Sequence, residues 1–273
     1  MQSGYYDAIG GMVTQFSRLD NISNNLANMN TDGFKRDDLI VGDFMRVFDN
    51  VQENLPIKNH TTKAARYLNH ALNRVPIISD SYTDFAQGGI AKTDNPLDFA
   101  LNKENLFFAI ETPEGVRYTR NGSFVVNEDG YLATKEGYRV LSKGSLDSND
   151  GILIPQDSLV EVDNNGNVFF RTPDNEVAQN GAIAVVSFVN QRNLIKQGHN
   201  LYKYPEDKLD QRIEPDNTNA IIQGALEKSN VNAIVEMTGL IETNRLVDMY
   251  SKVLKTHMDD LNSEAISRLA VRA

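Results

Sequence analysis

No proline follows Pro215 and no glycine follows Gly239, so the last forty or so residues hold nothing that would stop a helix. Ser229 or Asn230 stands where an N-cap is wanted. Met237, Leu240, Asn244, Val247, Ser251, Leu254, Met258 and Leu261 then recur at alternating steps of three and four, with Ile241 and Tyr250 beside them. That spacing lays one stripe along a helix for about four heptads. A helix running from this cap to about Leu269 would be ~58 Å long. One small domain cannot cover such a length, so the stripe requires a partner helix.

The other end of the chain supplies a candidate. Ile9, Met12, Phe16, Leu19, Ser23 and Leu26 also step by three and four, and Val13 and Ile22 widen the stripe. A helix from about Gly4 to Asn28 would be roughly 37 Å long. Gly10-Gly11 weakens it by about 1 kcal/mol per glycine. The pair reads either as a close approach to a neighbouring helix or as a frayed first turn. The expected fold is α+β: long N- and C-terminal helices pair as an antiparallel coiled coil, with an all-β antiparallel domain inserted between them. In that seam Asn244 either fixes register at some cost in stability or faces solvent. The expected divisions are 1–75, a helix and extended linker; 76–215, the β domain; and 216–273, the C-terminal helix.

In the middle the period changes. Residues 106–112, 116–120, 123–126, 131–134 and 138–142 are short runs rich in branched and aromatic side chains. Pro113-Glu114-Gly115, Asn121-Gly122, Asn127-Glu128-Asp129-Gly130 and Lys135-Glu136-Gly137 separate them. Links this short exclude helical crossovers and mean antiparallel hairpins. Further strands are expected at 159–163, 167–171 and 183–189, giving a β domain of sandwich or barrel type. The stretch from Arg36 to Val75 is less regular, with Ile40, Phe44, Val47, Phe48 and Val51 hinting at strand or short helix and residues 58–63 at a loop.

Charge and composition narrow the function. The net charge is −10, and the acidic excess lies in the middle of the chain while the two ends are nearly balanced. Nucleic acid is an unfavourable partner for such a surface. With no cysteine there is no disulfide, thiolate metal site or cysteine nucleophile. The longest mostly apolar run, 182–189, is too short to span a bilayer. Arg18 is the first basic residue and the opening segment has no unbroken apolar run, so a cleaved signal peptide is not expected. His60, His70, His199 and His257 have no metal-pair spacing, and no nucleotide or nucleophile-elbow motif occurs. Asp147-Ser148-Asn149-Asp150-Gly151 has its glycine one place early for a calcium loop and reads as a turn. No cofactor is expected.

The densest signal lies between Leu19 and Lys35. Asn21, Asn24, Asn25, Asn28 and Asn30 crowd a helix end, and Gly33 provides for a left-handed turn. Amides both donate and accept hydrogen bonds, which suits a helix face that packs against copies of itself. The run Asn24-Asn25-Leu26-Ala27-Asn28-Met29-Asn30-Thr31-Asp32-Gly33-Phe34-Lys35 resembles the N-terminal signature of bacterial flagellar axial proteins, in particular basal-body rod proteins of the FlgF and FlgG kind. Tyr118-Thr119-Arg120-Asn121-Gly122-Ser123-Phe124, with Gly130-Tyr131-Leu132 and Gly137-Tyr138, is similar to the hairpin ladder of rod and hook proteins. Residues 223–231, QGALEKSNV, look like the family's C-terminal signature. One departure is Asn105 before Leu106-Phe107-Phe108, where many relatives carry glycine.

The resemblance implies a rod subunit with no catalysis, transmitting torque from motor to hook, with the proximal, FlgF-like kind favoured over the distal, FlgG-like kind. Its implied partners are copies of itself, other rod proteins and the flagellar export apparatus, with no membrane insertion. Its implied place is the rod in the periplasmic space. The expected assembly interface combines both stripes and the signature: Ile9, Met12, Phe16, Leu19, Asn24, Asn25, Leu26, Asn28, Asn30, Gly33, Met237, Leu240, Asn244, Val247, Leu254, Met258 and Leu261. A secreted β-rich adhesin presented by helical ends is the alternative. A carbohydrate-active enzyme ranks last, because no catalytic set can be named.

Overall fold

The computed structural model describes residues 2–43, 76–145, 150–155, 158–171, 177–215 and 219–270. Of the irregular stretch read from sequence at Arg36 to Val75, residues 44–75 lie outside these, as do residues 147–149 of the acidic turn. The described chain forms two compact units. One contains residues 2–27, 37–82 and 232–270; the other contains residues 28–36 and 83–231.

In the first unit, helix α1 spans Gln2–Ala27 and helix α2 spans Ala233–Ala270. Asn232 begins α2: its side-chain oxygen accepts from the amides of Ile234 and Val235, at 3.0 and 3.3 Å. Strands Asp37–Asp43 and Pro76–Thr83 form a two-stranded sheet beside the helices. The two helices pack antiparallel, as Gly11 meets the ring of Tyr250 and Gly239 meets Ile22. A Cβ at Gly11 would stand 2.5 Å from the Tyr250 ring, so this glycine marks close approach and not a frayed turn.

The expected coiled coil is not what the helices form. Met237, Met258 and Leu261, meant to fill its seam, are about half exposed, and Asn244 is exposed. Glu236 and Thr243 are buried in their place. The facing side of α2 thus starts one residue earlier than the apolar pattern indicated, sharing only the half-buried Leu240, Val247 and Leu254 with it. Polar Thr14 and Asn25 are likewise buried on α1. Backbone carbonyls satisfy two of the hydroxyls: Thr14 donates to Gly10 at 2.8 Å, and Thr243 to Gly239 at 2.7 Å. A contact of small and polar residues with an inserted tyrosine is helix packing of another kind than apolar knobs in holes. The fold is therefore one N-terminal helix, one C-terminal helix and a large antiparallel β region.

That β region is the second unit. Strand Leu106–Thr112 is its centre, pairing antiparallel with Gly115–Thr119, Arg139–Val140 and Val185–Phe188 within a nine-stranded sheet. Of the predicted hairpins, Phe124–Val126 pairs with Leu132–Thr134 and Leu159–Val162 with Asn167–Arg171, whereas the strands on either side of Asn121-Gly122 are not neighbours in the sheet, so that turn joins no hairpin. Residues 106–110 are buried on both faces, which explains their unbroken apolar run. Leu106, Phe108 and Ile110 enter one core with Phe99, Phe124, Val140 and Phe170. Phe107 and Ala109 point the other way, into a core of Phe85, Tyr118, Phe188, Tyr202 and Tyr204. Two further strands, Ile221–Gln223 and Ala225–Glu227, bring the chain back to Phe99–Leu101 and Ile90–Lys92.

Gly11→Ala tests the helix contact. The substitution should stabilise α1 by about 1 kcal/mol when Tyr250 is also alanine, and be neutral or destabilising when Tyr250 is present. Equal effects in both backgrounds, measured by urea unfolding, would refute the close approach.

Candidate functional site

The segment after α1 is built to deliver one side chain. Thr31 donates from its amide to the Asn28 carbonyl at 3.1 Å, and Phe34 to the Thr31 carbonyl at 3.3 Å, so the chain leaves in two successive turns. Gly33 has φ of 70°, and a Cβ there would lie 2.5 Å from the Arg120 and Asn121 backbone. Only glycine combines that backbone angle with that approach. Lys35 follows and is fully buried.

Lys35 meets Glu227 and Arg120, which come from the C-terminal signature and from the hairpin motif. The Lys35 Nζ lies 2.6 Å from Glu227 Oε1, and Arg120 Nε donates to Oε2 at 2.8 Å. All three charged groups are wholly screened from solvent. Backbone groups complete the cluster. Lys35 Nζ donates to the Ala86 carbonyl at 2.7 Å, Arg120 Nη1 to those of Lys103 and Leu106 at 2.7 and 2.5 Å, and the Gly88 amide to Glu227 Oε1 at 2.9 Å.

The same two chain ends are stitched again around the ion cluster. The Gly33 amide donates to the Glu227 carbonyl at 2.7 Å, and the Arg36 amide to Asn230 Oδ1 at 2.8 Å. Asn230 Nδ2 also donates to the Asp84 carbonyl at 2.8 Å, and Lys228 Nζ pairs with Asp32 at 2.7 Å. Lys196 Nζ donates to the Lys35 carbonyl at 2.6 Å while lying 4.2 Å from the centre of the Phe34 ring.

Two cations share one carboxylate here, and the cost shows in their ionisation. Burial pushes the Lys35 ammonium below its usual range and the nearby Arg120 charge adds to this, while Glu227 opposes both. Burial also lowers Arg120, again against the pull of Glu227. Most of the cluster's donors are spent on the protein's own acceptors, and Arg120 Nη2 is ion-paired with Glu227 Oε2.

Of the residues expected to form an interface, the structure brings Gly33 into this junction. Asn25 instead clips the start of the first strand, donating to the Asp37 carbonyl at 2.8 Å and accepting from its amide at 3.0 Å. Ile9, Met12, Leu19, Leu26 and Asn28 are half-buried, while Phe16, Asn24 and Asn30 are exposed. Lys35, Arg120 and Glu227 were not singled out from sequence, although each sits inside a motif quoted for the resemblance.

Comparison with known proteins meets the same three places. The family profile described as "Flagella basal body rod protein" matches residues 6–35, ending on Lys35. "Flagellar hook protein FlgE/F/G D1 domain" matches 105–170, which contains Arg120, and "Flagellar basal body rod FlgEFG protein C-terminal" matches 222–268, which contains Glu227. The class is that of structural components of the bacterial flagellum. The rod protein FlgF of Caulobacter vibrioides is 30% identical over 272 residues, covering 98% of both chains. FlgG of Agrobacterium fabrum is 31% identical over 91% of this chain and 93% of its own, and FlgG of Bacillus subtilis 29% identical over 98% and 99%. The chain belongs to the flagellar basal-body rod protein family, whose FlgF and FlgG members both figure among these relatives. No helix among the described residues is long and apolar enough to cross a membrane.

Glu227→Ala should destabilise the chain by about 3–5 kcal/mol, since it leaves two buried cations without a counter-charge. Lys35→Met leaves a one-to-one pair and should cost under about 2 kcal/mol. The ionisation carries a sign. Folding lowers the Lys35 pKa below 10.5, so the unfolded chain binds the extra proton, and the penalty fades as pH rises from the folded value towards 10.5. Unfolding free energy measured across that alkaline window should therefore hold a rising contribution that Lys35→Met removes.

Proposed function

We propose that this chain is a drive-shaft subunit of the rod, assembling with copies of itself and other rod proteins through its two helices and so transmitting torque from motor to hook. Apolar exposure on the helices carries the reading. Phe16 is 46% exposed, Met237 48%, Met258 53% and Leu261 48%, and Ile234, Ile241 and Ile266 are exposed beside them on α2. Exposed apolar stripes of this length on two helices are surface that a neighbouring subunit would cover. With Ile9, Met12, Leu19, Leu26, Leu240, Val247 and Leu254 half-buried, the stripes would need only a modest further contact to close. In this reading residues 1–75 and 216–273 make the inner rod layer and 76–215 lies outside it. The subunit, in this reading, reaches the rod in the periplasmic space through the flagellar export apparatus and performs no catalytic turnover.

The finer reading is the proximal, FlgF-like position. The FlgF alignment over 98% of both chains supports it, and the Bacillus subtilis FlgG alignment gives the distal position equal support. A label on this chain in isolated basal bodies should lie at the motor end of the rod; label at the hook end overturns that finer reading alone.

For the main reading, Met258→Asp combined with Leu261→Asp should leave the purified chain folded by circular dichroism and the cells non-motile, without rods. Motile cells with intact rods from that variant would defeat the proposal.

A further inference from the structure

Two segments of the β unit stand apart from its cores. None of the side chains from 28–36 or 225–231 belongs to either hydrophobic cluster. Residues 28–36 contain no strand, and Ala225–Glu227 pairs only with the three-residue strand Ile90–Lys92, outside the nine-stranded sheet. Phe34, Ala225 and Leu226 are buried outside those clusters, and the links between the two segments are polar: the Glu227 carboxylate on Lys35, the Gly33 amide on the Glu227 carbonyl, and Asn230 on the Arg36 amide. Four polar links join the two segments to each other, Lys35–Glu227, Gly33–Glu227, Arg36–Asn230 and Asp32–Lys228, beside those that tie each to the rest of the unit.

We infer that residues 28–36 and 225–230 form one latch, which opens and closes as a single piece while both aromatic cores stay folded. Geometry supplies the coupling. Glu227 satisfies Lys35 through its carboxylate and Gly33 through its carbonyl, so neither segment can leave without stripping the other. Opening is cheaper than unfolding, because it returns a crowded ammonium and carboxylate to water and exposes little of either core. Arg120 is the fixed post: on opening it keeps the carbonyls of Lys103 and Leu106 and its place 5.8 Å from the Phe107 ring centre. The consequence is that the chain segments next to the two helices become ordered together or not at all.

Amide hydrogen exchange on the full chain tests this. The amides of Gly33, Arg36, Gly88 and Lys228 all donate within the latch or across its edge. Those of Ala109, Leu141 and Ala184 donate within the central sheet. The four latch amides should share one opening free energy, lower than that of the sheet amides. Glu227→Gln should speed the four by one common factor, at least about tenfold, with the three sheet amides unchanged. Lys35→Met, which keeps the Arg120 pair, should speed the same four together by a smaller factor. Unrelated rates among the four, equal acceleration of the sheet amides, or failure of Glu227→Gln to fold would each overturn the latch.

Discussion

One carboxylate shared between an ammonium and a guanidinium, away from water, is the contact on which the β unit's closure depends. Each ion costs several kcal/mol to desolvate, and their mutual attraction repays this only where the remaining donors and acceptors are filled. Here Ala86, Lys103 and Leu106 take the spare protons and Gly88 gives one back to Glu227. An apolar trio of similar volume would be no less stable. What the ions add is discrimination. Shifting the N-terminal segment by one residue would put Phe34 or Arg36 where Lys35 belongs and move Gly33 off a backbone position that tolerates no Cβ.

The helix pair obeys a different rule. Its contact is decided by where small residues admit large ones, Gly11 opposite Tyr250 and Gly239 against Ile22. The expected seam and the facing side differ by one residue at alternate positions and coincide at the others, so Leu240, Val247 and Leu254 fit either. Counting apolar side chains selects the frame with Met237 and Met258; the glycines select the frame with Glu236, Thr243 and Tyr250. Shape at the closest points outweighs hydrophobicity along the rest, since a backbone-to-ring contact cannot be made by turning either helix to its greasier side.

Much of the fold was legible for the same reason that part of it was not. Period two, short links and turn glycines fixed most of the hairpins from 106 to 171, because strand pairing is governed by neighbours in sequence. The length of α2 followed from the lack of late proline and glycine, but its cap is Asn232 and not the expected Ser229 or Asn230. The phase of α2 depended on residues more than two hundred positions away, which no local period contains. The ion cluster was hidden more deeply: charged residues are by default exposed, and Lys35, Arg120 and Glu227 gain meaning only when three distant segments converge. The trace available in sequence was their position, one in each of three motifs that otherwise consist of turn and strand residues.

These contacts divide the work of the chain. The central strand at residues 106–112 buries both its faces inside its own unit. The helices set Gly11 against Tyr250 and Gly239 against Ile22 and leave methionines, isoleucines and Phe16 exposed. The β unit also holds a polar junction whose strength depends on direction and charge, where apolar contact depends chiefly on area. A chain organised in this way leaves apolar surface on its helices and keeps its ionic precision where residues 28–36 and 225–230 meet, two kinds of contact that answer to different physics.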